Sequence, residues 1–124
     1  MNKIINSLKH NIYASDVMVG KYIYYKSKSS DANLYYIFNI ESVIPINETE
    51  IKYKLKRCFL MYVPTDENRT SFLYDNYKDI IIYASSELYE LTFAEYVNTF
   101  RVFLQNDGKI VKELPDKLIQ DTIL

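Results

Sequence analysis

The chain has 124 residues, 15 of them basic and 16 acidic, for a net charge of −1. Apolar residues make up 48% and charged residues 25%, the balance of one globular domain with a core of its own. This rules out a polybasic nucleic-acid tail and an acidic disordered chain. One cysteine and one histidine rule out an internal disulfide framework, a cysteine-based zinc site and a multi-histidine metal site.

Thirteen tyrosines, no tryptophan and two glycines stand out. Tyrosine favours strands and interfaces, because its ring buries well while its hydroxyl stays wet. With so little glycine, the turns have to be built from Asn, Asp and Ser. Phe, Tyr, Met, Ile, Asn and Lys together supply 59 residues, against 12 from Gly, Ala, Arg and Pro. That bias points to an AT-rich gene, of the kind carried by low-GC bacteria, phages, mobile elements and large DNA viruses.

Taken in chain order, Ile4, Ile5, Leu8 and Ile12 fall on one helical face and predict a helix over 1–14. Those residues contain no apolar run of signal-peptide length, and nothing in the chain reads as a membrane span, so the expected compartment is the cytoplasm of the producing or infected cell. An antiparallel sheet is predicted over 19–83. Its strands are Lys21–Lys26, Leu34–Ile44, Ile51–Val63, Ser71–Tyr74 and Lys78–Tyr83, with polar turns between them. The third is the clearest: Ile51, Tyr53 and Leu55 alternate with Lys52, Lys54 and Lys56, and after Arg57 the run Cys58–Val63 is apolar on both faces. A strand that starts half-exposed and ends buried on both sides suits a strongly bent sheet.

Thr92-Phe-Ala-Glu95 has the form of a capping box. Phe93, Tyr96, Val97, Phe100, Phe103 and Leu104 continue it as an apolar stripe, so a helix is predicted over 86–105. Ser85–Leu91 reads either as a separate helical turn or as the first turns of that helix. Residues 109–124 are assigned an edge strand and a last helix opened by Pro115. The predicted class is α+β: a small, strongly bent antiparallel sheet, an SH3-like or OB-like half-barrel, flanked by an N-terminal helix and C-terminal helices.

Catalytic chemistry finds little support. His10 sits among polar residues, and Cys58 lies mid-strand in apolar company. The segment 58–108 carries a net −5, yet its carboxylates form no metal-binding motif. Two isolated glycines cannot build a phosphate-cradling loop. Residues 20–57 carry a net +3, with Lys52, Lys54 and Lys56 on one strand face.

The residues therefore predict a binding protein that is not an enzyme and needs no cofactor or metal. It acts by occupying a surface of a larger host protein, for example as a phage- or virus-encoded inhibitor of a defence system. Its contact surfaces are a basic face of Tyr22, Tyr24, Lys52, Lys54 and Lys56 and an acidic set of Asp66, Glu67, Asp75 and Asp79. The alternative is a small barrel that holds single-stranded nucleic acid on the lysine–tyrosine face. A small hydrolase or nucleotide-processing enzyme using the acidic segment ranks third. Self-association into a homodimer is compatible with the first reading.

Overall fold

The computed structural model describes residues 1–66, 72–74 and 77–98. Seven strands build one antiparallel sheet: β1 (Asn2–Ile4), β2 (Tyr22–Lys28), β3 (Ala32–Pro45), β4 (Glu50–Pro64), β5 (Phe72–Tyr74), β6 (Asp79–Tyr83) and β7 (Leu88–Leu91). Their order is β1-β7-β2-β3-β4-β5, and β6 also pairs with β4. β5 takes the Leu60–Tyr62 end of β4 and β6 takes the Glu50–Lys54 end. The expected antiparallel sheet is therefore present, with β2 to β5 neighbours in chain order and β6 returning to β4. The β3–β4 turn is built as its composition requires, with the Asn47 carboxamide oxygen accepting from the amides of Thr49 (2.9 Å) and Glu50 (2.8 Å).

The link from β6, outside β4, to β7, outside β2, is only residues 84–87. So short a link requires the sheet to curl so that its two sides approach each other. Closure does not follow: no ladder joins β6 to β7 or β1 to β5 among the described residues.

The curl separates two apolar clusters. The concave side gathers Ile23, Phe38, Ile40, Ile51, Tyr53, Leu55, Cys58, Ile82 and Leu88, with Tyr13 and Met18 laid over them. The convex side gathers Tyr24, Tyr35, Ile37, Phe59, Met61, Leu91 and Tyr96.

Strand alternation accounts for both sets only if the phase of β4 slips between Leu55 and Cys58, which face the same side three positions apart. The register shows the slip. Asn39 pairs with Arg57, Ile40 with Leu55 and Ser42 with Lys54, so Lys56 and Glu41 are each extra residues, one per strand, at the same level. These facing bulges explain why the lysine alternation ends where it does.

The N-terminus differs from expectation. Residues 1–14 are not a helix: Asn2–Ile4 pair with Leu88–Glu90, and the chain then makes 3₁₀ turns at Ile12–Ala14 and Asp16–Met18. A helix this short is marginal without a packed face. The apolar residues do not act as one helical face: Ile4 and Ile12 pack against the core, while Ile5 is 79% and Leu8 87% exposed. Side chain–backbone bonds hold the segment instead: Asn6 donates to the Ala84 carbonyl (3.0 Å) and accepts from the Tyr13 amide (3.3 Å).

Residues 88–91 are likewise strand rather than helix, because their backbone pairs with both β1 and β2. The capping box forms as expected. The Thr92 amide donates to Glu95 Oε1 (3.3 Å), the Glu95 amide donates to Thr92 Oγ1 (3.1 Å), and residues 93–98 are helical. The edge strand and helix expected over 109–124 lie outside the described residues.

Candidate functional site

Alternation on β4 places Lys52 and Lys54 on the convex side, opposite Tyr53 and Leu55. In register, Lys52 stands between Ile44 and Ile81, and Lys54 between Ser42 and Asp79. Asp79 therefore belongs to the lysine face and not to a separate acidic one; its Oδ2 lies 3.8 Å from Lys52 Nζ. Asp66 is exposed beyond the far end of β4. Glu67 and Asp75 lie outside the described residues.

The tyrosines expected on this face are on the same side of the sheet but largely covered. Tyr24 is only 4% exposed and belongs to the convex core. Tyr22 packs on Tyr96 (ring centroids 4.4 Å apart) and Phe93 (5.7 Å). The helix opened by the capping box supplies both partners of Tyr22, whereas the Tyr24 ring lies 6.0 Å from that of Tyr89 on β7. Apolar side chains are exposed elsewhere on the face: Ile44, Ile81 (49% exposed) and Tyr83 (55%) surround Lys52.

Lys56 is separated from Lys52 and Lys54 by its place in the bulge. It opens onto a cleft of about 600 Å³ at the level of the paired bulges. Lys56, Arg57 and Lys78 bring three cations to its wall, Tyr22, Tyr77 and Tyr96 bring three rings, and Asn39, Leu55 and Cys58 complete the lining. The described lining contains no carboxylate. The Lys78 carbonyl accepts from the Leu55 amide at 2.8 Å, which ties Tyr77 and Lys78 to the bulge. Burial pushes the Tyr96 hydroxyl above its usual range, and the nearby Arg57 charge works against that shift.

Comparison with protein-family models, curated proteins and solved structures finds no match.

Of the cleft residues, Tyr22 and Lys56 are among the expected contacts; Arg57, Tyr77, Lys78 and Tyr96 are not. The sequence does carry one trace of the cleft, the broken alternation between Leu55 and Cys58. Cys58 is 1% exposed, and burial pushes its thiol up to about 12, so it stays protonated at neutral pH. His10 is exposed. Among the described residues no group of three or more His, Cys, Asp or Glu side chains could hold a metal ion, and no described helix is long and apolar enough to cross a membrane.

Proposed function

We propose that this chain is a non-catalytic binding protein that occupies a surface of a larger protein through the convex face of β3, β4 and β6. The observation that carries this reading is the exposure of Ile44, Ile81 and Tyr83 around Lys52 on a sheet face where outward positions are ordinarily polar. Large exposed aromatic and aliphatic side chains beside a cation are the material of interface anchors. The buried, protonated thiol and the exposed lone histidine agree with an absence of covalent chemistry. The same reading takes the bulged meander as the SH3-like or OB-like half-barrel suggested by the sequence, a scaffold with no function of its own.

The test is affinity capture from the lysate of the natural host, treated with nuclease, using the wild type and an Ile81→Lys/Tyr83→Glu variant. A nuclease-resistant partner retained by the wild type and lost by the variant is the expected result. A partner retained equally by both sinks the assignment of this face. Light scattering on the purified chain separates a second copy of itself from a foreign partner.

A further inference from the structure

The cleft at the paired bulges calls for an occupant of its own. A chain of net charge −1 brings Lys56 and Lys78 to one wall. Like charges gathered at a protein surface repel one another, and a bound anion relieves that repulsion. Neither Lys56 nor Lys78 makes an ion pair among the described residues. Arg57 is steered by the Phe59 ring, 5.7 Å from its guanidinium carbon.

The remaining walls suit a flat ring. Tyr77 is 41% exposed, and its ring stands edge-on to Tyr36 (6.4 Å, 82°), which holds it in place as a platform. Asn39 uses its Nδ2 on the Gly20 and Lys21 carbonyls (2.9 and 3.2 Å), leaving its Oδ1 to accept from a ligand N–H. At about 600 Å³ the cleft is far larger than a lone phosphate needs and falls within the range of small-molecule sites.

From these features we infer that the cleft is a binding site for a nucleotide unit, with the phosphate on Lys56 and Lys78 and the base against Tyr77. The unit is a free mononucleotide or one residue of a single strand, and both present the same phosphate and base. The site is separate from the face formed by Ile44, Ile81 and Tyr83, so neither assignment depends on the other.

Calorimetric titration at low salt tests the inference, with inorganic phosphate, uridine monophosphate and a short oligothymidylate as ligands. The nucleotide is expected to bind more tightly than phosphate, and binding weakens as salt rises. Lys56→Gln and Lys78→Gln are each expected to lower affinity about tenfold, as loss of a charge-assisted contact does. Tyr77→Leu lowers nucleotide affinity severalfold and leaves phosphate binding unchanged. Equal affinity for the mononucleotide and the oligomer identifies a free nucleotide as the source, and tighter binding of the oligomer identifies a strand. All three positions are exposed, so unchanged circular dichroism and melting confirm that the variants fold. Absence of binding by every ligand, or binding that Lys56→Gln and Lys78→Gln leave intact, overturns the inference. Ile81→Lys/Tyr83→Glu serves as a control expected to bind the nucleotide normally.

Discussion

The Tyr53 hydroxyl donates a 2.8 Å hydrogen bond to the main-chain carbonyl of Tyr13, and both rings are buried in the concave core. Tyr13 extends the connection: its own hydroxyl donates to the Ser86 carbonyl (2.8 Å) and accepts from the Leu88 amide (3.3 Å). The two tyrosines thus join the N-terminal segment, the centre of β4 and the start of β7. A buried polar group stripped of its partner costs more than the bond itself contributes, so the two positions are sensitive to removal of a single oxygen.

Tyr53→Phe leaves the Tyr13 carbonyl without this donor and is expected to destabilise the fold by about 1–2 kcal/mol. Tyr13→Phe strands the Leu88 amide and the Ser86 carbonyl together and is expected to cost more. Urea denaturation measures both. The Tyr13 variant should also lose amide-exchange protection in β1 and β7 before the rest of the sheet.

Burial pushes the Cys58 thiol up to about 12 from its ordinary 9.0, and the Tyr13 and Tyr53 hydroxyls also rise above their usual 10.0. Above pH 9 the folded chain therefore holds protons that the unfolded chain releases, so stability falls as pH rises. Each such group steepens the fall by up to about 1.4 kcal/mol per pH unit. Melting temperatures measured from pH 8 to 11 should decline, and Cys58→Ala should make the decline shallower. At neutral pH an alkylating reagent should modify Cys58 only as the protein unfolds.

At Glu95, burial pushes the carboxyl up, but hydrogen bonds from the Met1 ammonium (2.9 Å from Oε2) and from Thr92 outweigh it and hold the carboxyl below its ordinary 4.5. This contribution to stability is present above the ordinary value and is lost as pH falls through the lower, folded one. Glu95→Gln should flatten the acid limb of the stability curve. Thr92→Ala removes the reciprocal cap and should cost about 1 kcal/mol.

Gly20 enters β2 at φ +84°, with its amide donating to the Ile40 carbonyl at 2.8 Å. An added Cβ would meet nothing within 4 Å, so strain in Gly20→Ala comes from the backbone alone. The expected loss is about 1–2 kcal/mol. A D-alanine placed there by chemical synthesis should restore stability, because its mirror-image preference matches this φ.

The Lys52–Asp79 pair is long, at 3.8 Å, with Asp79 exposed and Lys52 partly exposed. Lys52→Met and Asp79→Asn should each change unfolding free energy by no more than about 0.5 kcal/mol. A larger loss in either variant would show that the pair supports the fold.

Local chemistry was enough to read β2, β3, β4 and β6 and the capping box. Alternation along Ile51–Leu55 and the Thr92–Glu95 spacing involve only residues within a turn or a strand of one another. Strand β7 and the N-terminal strand were beyond that reach. Asn2–Ile4 and Leu88–Leu91 have no period of their own, and their conformation comes from pairing across the whole chain.

The same division runs through the candidate site. Alternation put Lys52, Lys54 and Lys56 on one face; Lys52 and Lys54 share it, and the bulge takes Lys56 out of it. Which tyrosines remain exposed was decided by where the helix after β7 lands, because Tyr96 and Phe93 cover Tyr22. The cleft depends on two bulges meeting at one level, which places Lys56 and Arg57 beside Lys78. A pattern read along one strand records its own phase but not its partner's, and only the folded sheet sets the two against each other.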